Sequence, residues 1–486
     1  MKATKKNLLG RKKSHPSTPY GTALKNFFLL SCGLLVFVLV FVESFESKEG
    51  LVSGTSSSFV SGETSIGEGH PTAALPSESD VRPSPSNPES TVSLGSSAPS
   101  EPLPGRGEGT TPPKNAKDGF SGESTSESSE SLPSPSPLKA PDFWSQAEEL
   151  TAEMSLSDKL YQLMVVYPES IGLEALGSSP EETEAILHQD PVGGILYRAD
   201  NFSSQEQVAQ MLRTVQEGAK YPLLLTCDEE GGTVNRLMHQ VGTTYIGPML
   251  DYADQGPEVA RQNAATIAED MSALGFNLDF APVADVWSNP QNTVIGNRAY
   301  SHDFQQAAEL IPAAVQGFHQ GGVACSLKHF PGHGDTLEDS HLRSATIRKT
   351  LDALRQEELL PFQAGIDAGA DLVMVGHLML GEGTIPAVFS YDLVTGVLRE
   401  EMGFQGLVIT DGLEMKAMTD HYSSEEVARN AIQAGVDLLL CPPDLEASLN
   451  ALKDAVTEGL ISEERIDLSV TRVLHLKLTY GLFPAE

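Results

Sequence analysis

The sequence predicts an α/β protein: a (β/α)8 barrel of the TIM type, forming a single catalytic domain preceded by a membrane anchor and a disordered linker. Three observations predict it. Eight short apolar runs recur between about Pro141 and Glu486. They are continuous rather than alternating, as strands covered on both faces must be. Ionisable residues come within four positions after five of them, and a barrel gathers its functional groups at the C-terminal ends of its strands.

The predicted strands are Leu163–Val166, Val192–Tyr197, Leu223–Cys227, Leu278–Ala281, Val323–Leu327, Leu372–Val375, Leu407–Thr410 and Leu438–Leu440. Helical signals separate them. Ser423-Ser424-Glu425-Glu426 offers a capping box before Val427, Ala428, Ala431 and Ala434, and Gly435 ends that helix. Ala368-Gly369-Ala370-Asp371-Leu372-Val373 parallels Ala434-Gly435-Val436-Asp437-Leu438-Leu439, an echo of one repeated helix–strand unit. An open, doubly wound sheet is the alternative. The first strand lacks the Gly-rich phosphate loop that would favour it.

The segments before the barrel differ in composition. Residues 1–26 carry seven Lys or Arg and no acid, and read as a basic cytoplasmic segment. Residues 27–43 are almost wholly apolar and read as a single-pass anchor, with Lys25 snorkelling at its edge. The basic side stays in the cytoplasm, so the catalytic domain is expected outside the cell. A cleaved signal peptide is the rival, although Glu43-Ser44-Phe45-Glu46 makes a poor cleavage site. Leu29-Leu30-Ser31-Cys32 hints at a lipid-attachment cysteine, but the apolar run continues past it. Residues 44–138 are rich in Ser, Pro, Glu, Gly and Thr and have little to bury, so they read as a disordered tether. The catalytic domain is expected to span residues 139–486 and to be monomeric.

Past residue 26, 25 basic residues face all 66 acidic ones, a net of −41. Such a surface repels nucleic acid, and a nucleic-acid partner is excluded. The four cysteines show no metal-site spacing and are expected to be free and buried.

Ser326 to His341 reads SLKHFPGHGDTLEDSH, with three histidines and three acidic residues in sixteen positions. Asp339 and His341 stand two apart, so in an extended segment they point the same way. Asp339 would then fix the His341 tautomer, and His341 would exchange protons near neutral pH. A solvated loop pair is the plain alternative. A metal site built from His329, His333, Asp335, Asp339 and His341 is a further one, although none has a known ligand spacing. Asp411 ends a buried strand and is the best nucleophile, against the alternative that it caps a following helix. Lys328-His329 reads as a substrate clamp. Arg298 and Arg236 are either clamp residues or surface ion pairs.

With these motifs in view, the sequence resembles glycoside hydrolase family 3 in its β-N-acetylglucosaminidase branch. The resemblance rests on Lys328-His-Phe-Pro-Gly-His-Gly-Asp335 followed by Asp339-Ser-His341, on Asp228-Glu-Glu-Gly-Gly232, and on Gly275-Phe-Asn-Leu-Asp-Phe-Ala-Pro-Val-Ala-Asp285. Ile295-Gly-Asn-Arg298 and Ile409-Thr-Asp411-Gly-Leu-Glu-Met415 extend it, in the same order, from about residue 145 to the end.

The resemblance implies roles. Asp411 would be the nucleophile and His341 the acid/base, paired with Asp339. Asp228, Arg236, Arg298, Lys328 and His329 would hold an N-acetylglucosamine unit. No cofactor or metal is implied. The expected activity is release of terminal β-linked N-acetylglucosamine by a retaining mechanism, often from peptidoglycan fragments. The alternatives are a phosphorylase or transglycosylase on the same scaffold, a metal-dependent hydrolase, and a non-catalytic wall-binding module. One departure stands out: Glu229 and Thr233 occupy positions where the family often has Gln and Arg, and Glu229 is expected to alter a charge near the site. Many relatives carry a further domain after the barrel, and no site group is expected from one here.

Overall fold

A computed structural model describes residues 142–174, 178–337, 345–381, 383 and 385–484. The expected basic segment, anchor and linker lie outside the described residues, as do Asp339 and His341. Among the described residues no helix is long and apolar enough to cross a membrane.

Eight parallel strands form the sheet: β1 Met164–Val166, β2 Gly194–Leu196, β3 Leu224–Cys227, β4 Leu278–Asp279, β5 Ala324–Phe330, β7 Leu372–Val375, β9 Leu407–Thr410 and β10 Leu439–Leu440. Their order is β10-β1-β2-β3-β4-β5-β7-β9. A parallel bridge between Ile409 and Leu438 joins the two edges. Thr410 N donates to Leu438 O at 3.1 Å across that seam. A sheet joined edge to edge has no free backbone row, which is the barrel's solution to strand exposure.

The apolar runs are explained by two buried layers. Val165, Leu224, Leu278, Phe280, Leu372, Leu407 and Ile409 pack together in one cluster. The alternate residues Leu225, Cys227, Val373, Val375 and Val408 belong to the second cluster, which includes the surrounding helices. Period-two alternation sends neighbours to opposite faces, and both faces are dry.

One helix–strand join follows the expected pattern closely. The helix Ser424–Ala434 has the expected Ser423–Glu426 capping box and ends at Gly435. The echoed join has a structural basis. Asp371, just before β7, accepts Cys325 N of β5 at 3.0 Å. Asp437, just before β10, accepts Val408 N of β9 at 3.0 Å. Asn277, just before β4, accepts Leu225 N of β3 at 3.0 Å. In each case a side chain entering one strand satisfies a backbone donor of its neighbour at the barrel's N-terminal end.

Two features differ from expectation. β5 extends to Phe330, so Lys328 and His329 lie within the strand rather than beyond it. Its pairing with β7 shifts register between Leu327 and Phe330, which lets it continue. A second small parallel sheet pairs β6 Ala345–Ile347 with β8 Leu378–Leu380. It fastens the chain just past His341 to the segment leaving β7. The described cysteines Cys227, Cys325 and Cys441 are free and buried, as expected.

Candidate active site

Polar side chains crowd the C-terminal mouth of the barrel. β3 delivers Asp228, Glu229 and Glu230; β5 delivers Lys328 and His329; β7 is followed by His377 and β9 by Asp411. The strands are parallel, so these positions fall on one rim.

Lys328 is only 2 % exposed. Its Nζ lies 2.8 Å from Asp228 Oδ1 and 2.6 Å from Glu230 Oε1. Arg298 grips the same Glu230 with two bonds, Nε to Oε2 at 2.8 Å and Nη2 to Oε1 at 2.7 Å. Burial alone would push the Glu230 carboxyl up, but Arg298 and Lys328 outweigh it and hold the group well below the usual carboxylate range. Burial likewise works against the Lys328 charge, and Asp228 and Glu230 overcome it. Arg236 Nη2 approaches Asp228 Oδ2 at 3.6 Å from the other side. Asp228, Arg236, Arg298 and Lys328 therefore form one continuous ionic assembly, through Glu230.

His329 belongs to a second assembly. Its Nδ1 lies 2.7 Å from Asp285 Oδ2, which assigns the proton to Nδ1. Asp285 is fully buried and also accepts His333 N at 2.6 Å. Burial opposes the Asp285 charge, yet His329 and His333 hold its carboxyl below the ordinary value. Burial pushes the His333 imidazole below its ordinary value and His329 adds to that; Asp285 and Asp411 counter only in part. The His333 ring is fixed by Thr336 Oγ1, 2.7 Å from Nδ1. Gly334 explains the Pro-Gly-His-Gly spelling of this loop. A Cβ there would sit 1.7 Å from Val286 O, so only glycine lets the loop press onto the segment after β4.

Asp411 is half-buried at the end of β9. The following helix begins at Lys416 behind Met415, so Asp411 does not cap it. Its Oδ1 accepts Gly412 N at 2.8 Å. The turn is pinned by His377, whose Nε2–H donates to Gly412 O at 2.8 Å, and by Leu413 N donating to Leu440 O at 2.9 Å. Asp411 N donates to Val375 O at the end of β7 at 3.0 Å, so Asp411 stands on the same C-terminal rim as the residues that follow β3 and β7.

Several residues here were seen in the sequence only as polar strand ends. Glu230 and Asp285 proved to be the buried counter-ions of the two assemblies. Their partners are 68 and 44 residues away in the chain, a pairing no local pattern reveals. Tyr167 went unnoticed; it follows β1 and donates its hydroxyl to Glu414 Oε1 at 2.7 Å. Glu229, the departure from the family motif, is buried beside the assembly, and its carboxylate accepts the backbone N–H groups of Arg236, Leu237 and Met238.

The metal alternative fares differently residue by residue. His329 Nδ1 is committed to Asp285 and His333 Nδ1 to Thr336. Among the described residues, the compact His/Cys/Asp group is His319, Cys325 and Asp371. There Asp371 Oδ2 already accepts His319 Nε2 at 2.9 Å, Cys325 N at 3.0 Å and Tyr480 Oη at 3.0 Å. It is a hydrogen-bonded knot at the opposite end of the barrel.

A family model, the glycosyl hydrolase family 3 N-terminal domain, matches residues 155–476. The chain belongs to glycosyl hydrolase family 3. Among its relatives, a beta-hexosaminidase of Xanthomonas oryzae pv. oryzae is 37 % identical over 293 residues, 58 % of this chain and 86 % of that one. Beta-hexosaminidase A of Pseudoalteromonas piscicida is 32 % identical over 334 residues; these are 62 % of this chain but 56 % of that relative, so the match spans little more than half of it. The solved structure of a family 3 beta-N-acetylglucosaminidase from Paenibacillus superposes with a TM-score of 0.64 at 38 % identity, covering 68 % of this chain and 64 % of that one. For this family 3 chain the matched span contains every described residue of the mouth.

Proposed function

We propose that the barrel is a retaining β-N-acetylglucosaminidase. Asp411 is the nucleophile, His341 the acid/base and Asp339 the residue that orients it. Asp228, Arg236, Arg298, Lys328 and His329 hold the sugar. The observation that carries the reading is the placement of Asp411 on the same mouth as the buried Lys328–Glu230–Arg298 and His329–Asp285 assemblies. The relatives' names supply the sugar class.

The chemistry proceeds in two displacements. Asp411 attacks the anomeric carbon while the bond to the leaving oxygen breaks, and His341 gives that oxygen its proton. His341 then takes a proton from water, water attacks the same carbon, and the Asp411 carboxylate departs. Two inversions leave the configuration retained. The polar walls are pre-built by ion pairs whose geometry exists before sugar arrives, so little reorganisation is needed at the moment of reaction. Peptidoglycan-derived glycans are the proposed natural source, met by a domain tethered outside the cell through residues 27–43.

The test compares a chromogenic β-N-acetylglucosaminide with the matching β-glucoside, each with and without phosphate. Strong preference for the N-acetyl sugar, with free N-acetylglucosamine as product, is expected. Equal turnover of the glucoside would overturn the sugar assignment. A phosphorylated sugar product would replace hydrolysis with phosphorolysis.

A further inference from the structure

Glu229 lies between two residues of the ionic assembly yet contributes to it in another way. Its side chain is 2 % exposed. Oε2 accepts Arg236 N at 2.5 Å and Leu237 N at 2.8 Å, and Oε1 accepts Met238 N at 3.1 Å. Three consecutive backbone donors thus converge on one carboxylate. The loop between is equally constrained: Glu230 N donates to Val234 O at 2.9 Å, and Asn235 Nδ2 donates to Gly232 O at 2.6 Å. Glu229 is itself held from below, because Asp279 of β4 accepts Glu229 N at 3.0 Å. A chain of contacts runs from β4 through Asp279 and Glu229 to the backbone of Arg236, whose guanidinium faces Asp228.

We propose that Glu229 is a positioning residue for Arg236: its buried carboxylate fixes the backbone of the 236–238 turn and so aims the Arg236 guanidinium across the mouth toward Asp228. This rests on the reading of Arg236 as a sugar-holding residue. A carboxylate suits the task because both its oxygens accept. A glutamine here offers one accepting oxygen and an amide that donates, so it satisfies Arg236 and Leu237 but confronts Met238 N–H with a second donor. The effect on substrate is confined to Arg236, since Glu229 spends its oxygens on the backbone.

The experiment uses the full chain and the chromogenic β-N-acetylglucosaminide, with E229A, E229Q, R236A and the double variant E229A/R236A. Each is checked for thermal unfolding and for hydrogen exchange at the amides of residues 236–238. E229A is expected to raise KM about tenfold with kcat within twofold of the parent. E229Q should recover most of that loss, and the double variant should be no worse than R236A alone. Exchange should quicken at all three amides in E229A and at Met238 alone in E229Q. Parental KM in E229A, or losses that multiply in the double variant, would overturn the proposal. If R236A leaves KM unchanged, the sugar-holding reading of Arg236 fails instead, and exchange still decides whether Glu229 fixes the turn. If E229A does not fold, E229Q decides: exchange as slow at Met238 as in the parent overturns the proposal.

Discussion

Lys328 and Glu230 form an ion pair with Nζ and Oε1 2.6 Å apart and with both side chains almost wholly removed from water. Neither charge is tolerable there alone. Removing one partner of a buried pair costs roughly 3–5 kcal/mol, because the survivor stays desolvated. Glu230→Ala leaves Lys328 with Asp228 and takes from Arg298 both of its bonds to the Glu230 carboxylate. We expect it to lower unfolding stability by about that amount and to abolish turnover, as read by denaturant unfolding and a glycosidase assay. Stability within about 0.5 kcal/mol of the parent, as for surface substitutions, would show that water reaches the pair.

Asp285 sets the His329 ring through the 2.7 Å bond to Nδ1. Asp285→Asn keeps the shape but replaces one accepting oxygen with a donor, which confronts either His329 or His333 N–H. Losing a hydrogen bond to a charged group is worth roughly 1.5–3 kcal/mol. The variant should therefore lose about that much unfolding stability and, with the His329 ring no longer aimed, roughly 10- to 100-fold in kcat/KM. A kinetic profile like the parent's would mean that His329 is held by other contacts.

Lys477 is buried with a neutral partner, its Nζ 2.7 Å from Gln162 Oε1. Burial brings its amine down from 10.5 to about 7. The unfolded chain therefore binds a proton between pH 10.5 and pH 7 that the folded chain does not. Stability from this group is fully present above about pH 10.5, falls as pH drops toward 7, and levels off below that. Lys477→Met should flatten that part of the pH–stability curve. Parallel curves for the two proteins would contradict it.

How much was legible in the sequence follows from what kind of contact each feature depends on. All eight strands were readable because strands buried on both faces must be apolar throughout. Their ends were less so: Val192 was expected in β2, but Gln162 Nε2 takes the carbonyls of Pro191 and Val192 before the ladder begins. The β6–β8 pair was missed because three-residue strands separated by two helices and β7 leave no run long enough to recognise. Within the site, Lys328, His329, Asp228 and Asp411 were readable from their place after, or at the end of, apolar runs. The work of Glu229, Glu230 and Asp285 was not, since it depends on which distant segment comes to lie opposite.

In the proposed mechanism Asp411 forms the bond to sugar. This is tested most directly by trapping: the protein is mixed with a slow, fluorinated N-acetylglucosaminide, quenched and digested, and the peptides are mapped by mass. One added sugar is expected on the peptide containing Asp411, and none in Asp411→Asn. Sugar attached to another carboxylate, such as Glu414, or turnover by Asp411→Asn near the parental rate, would contradict it.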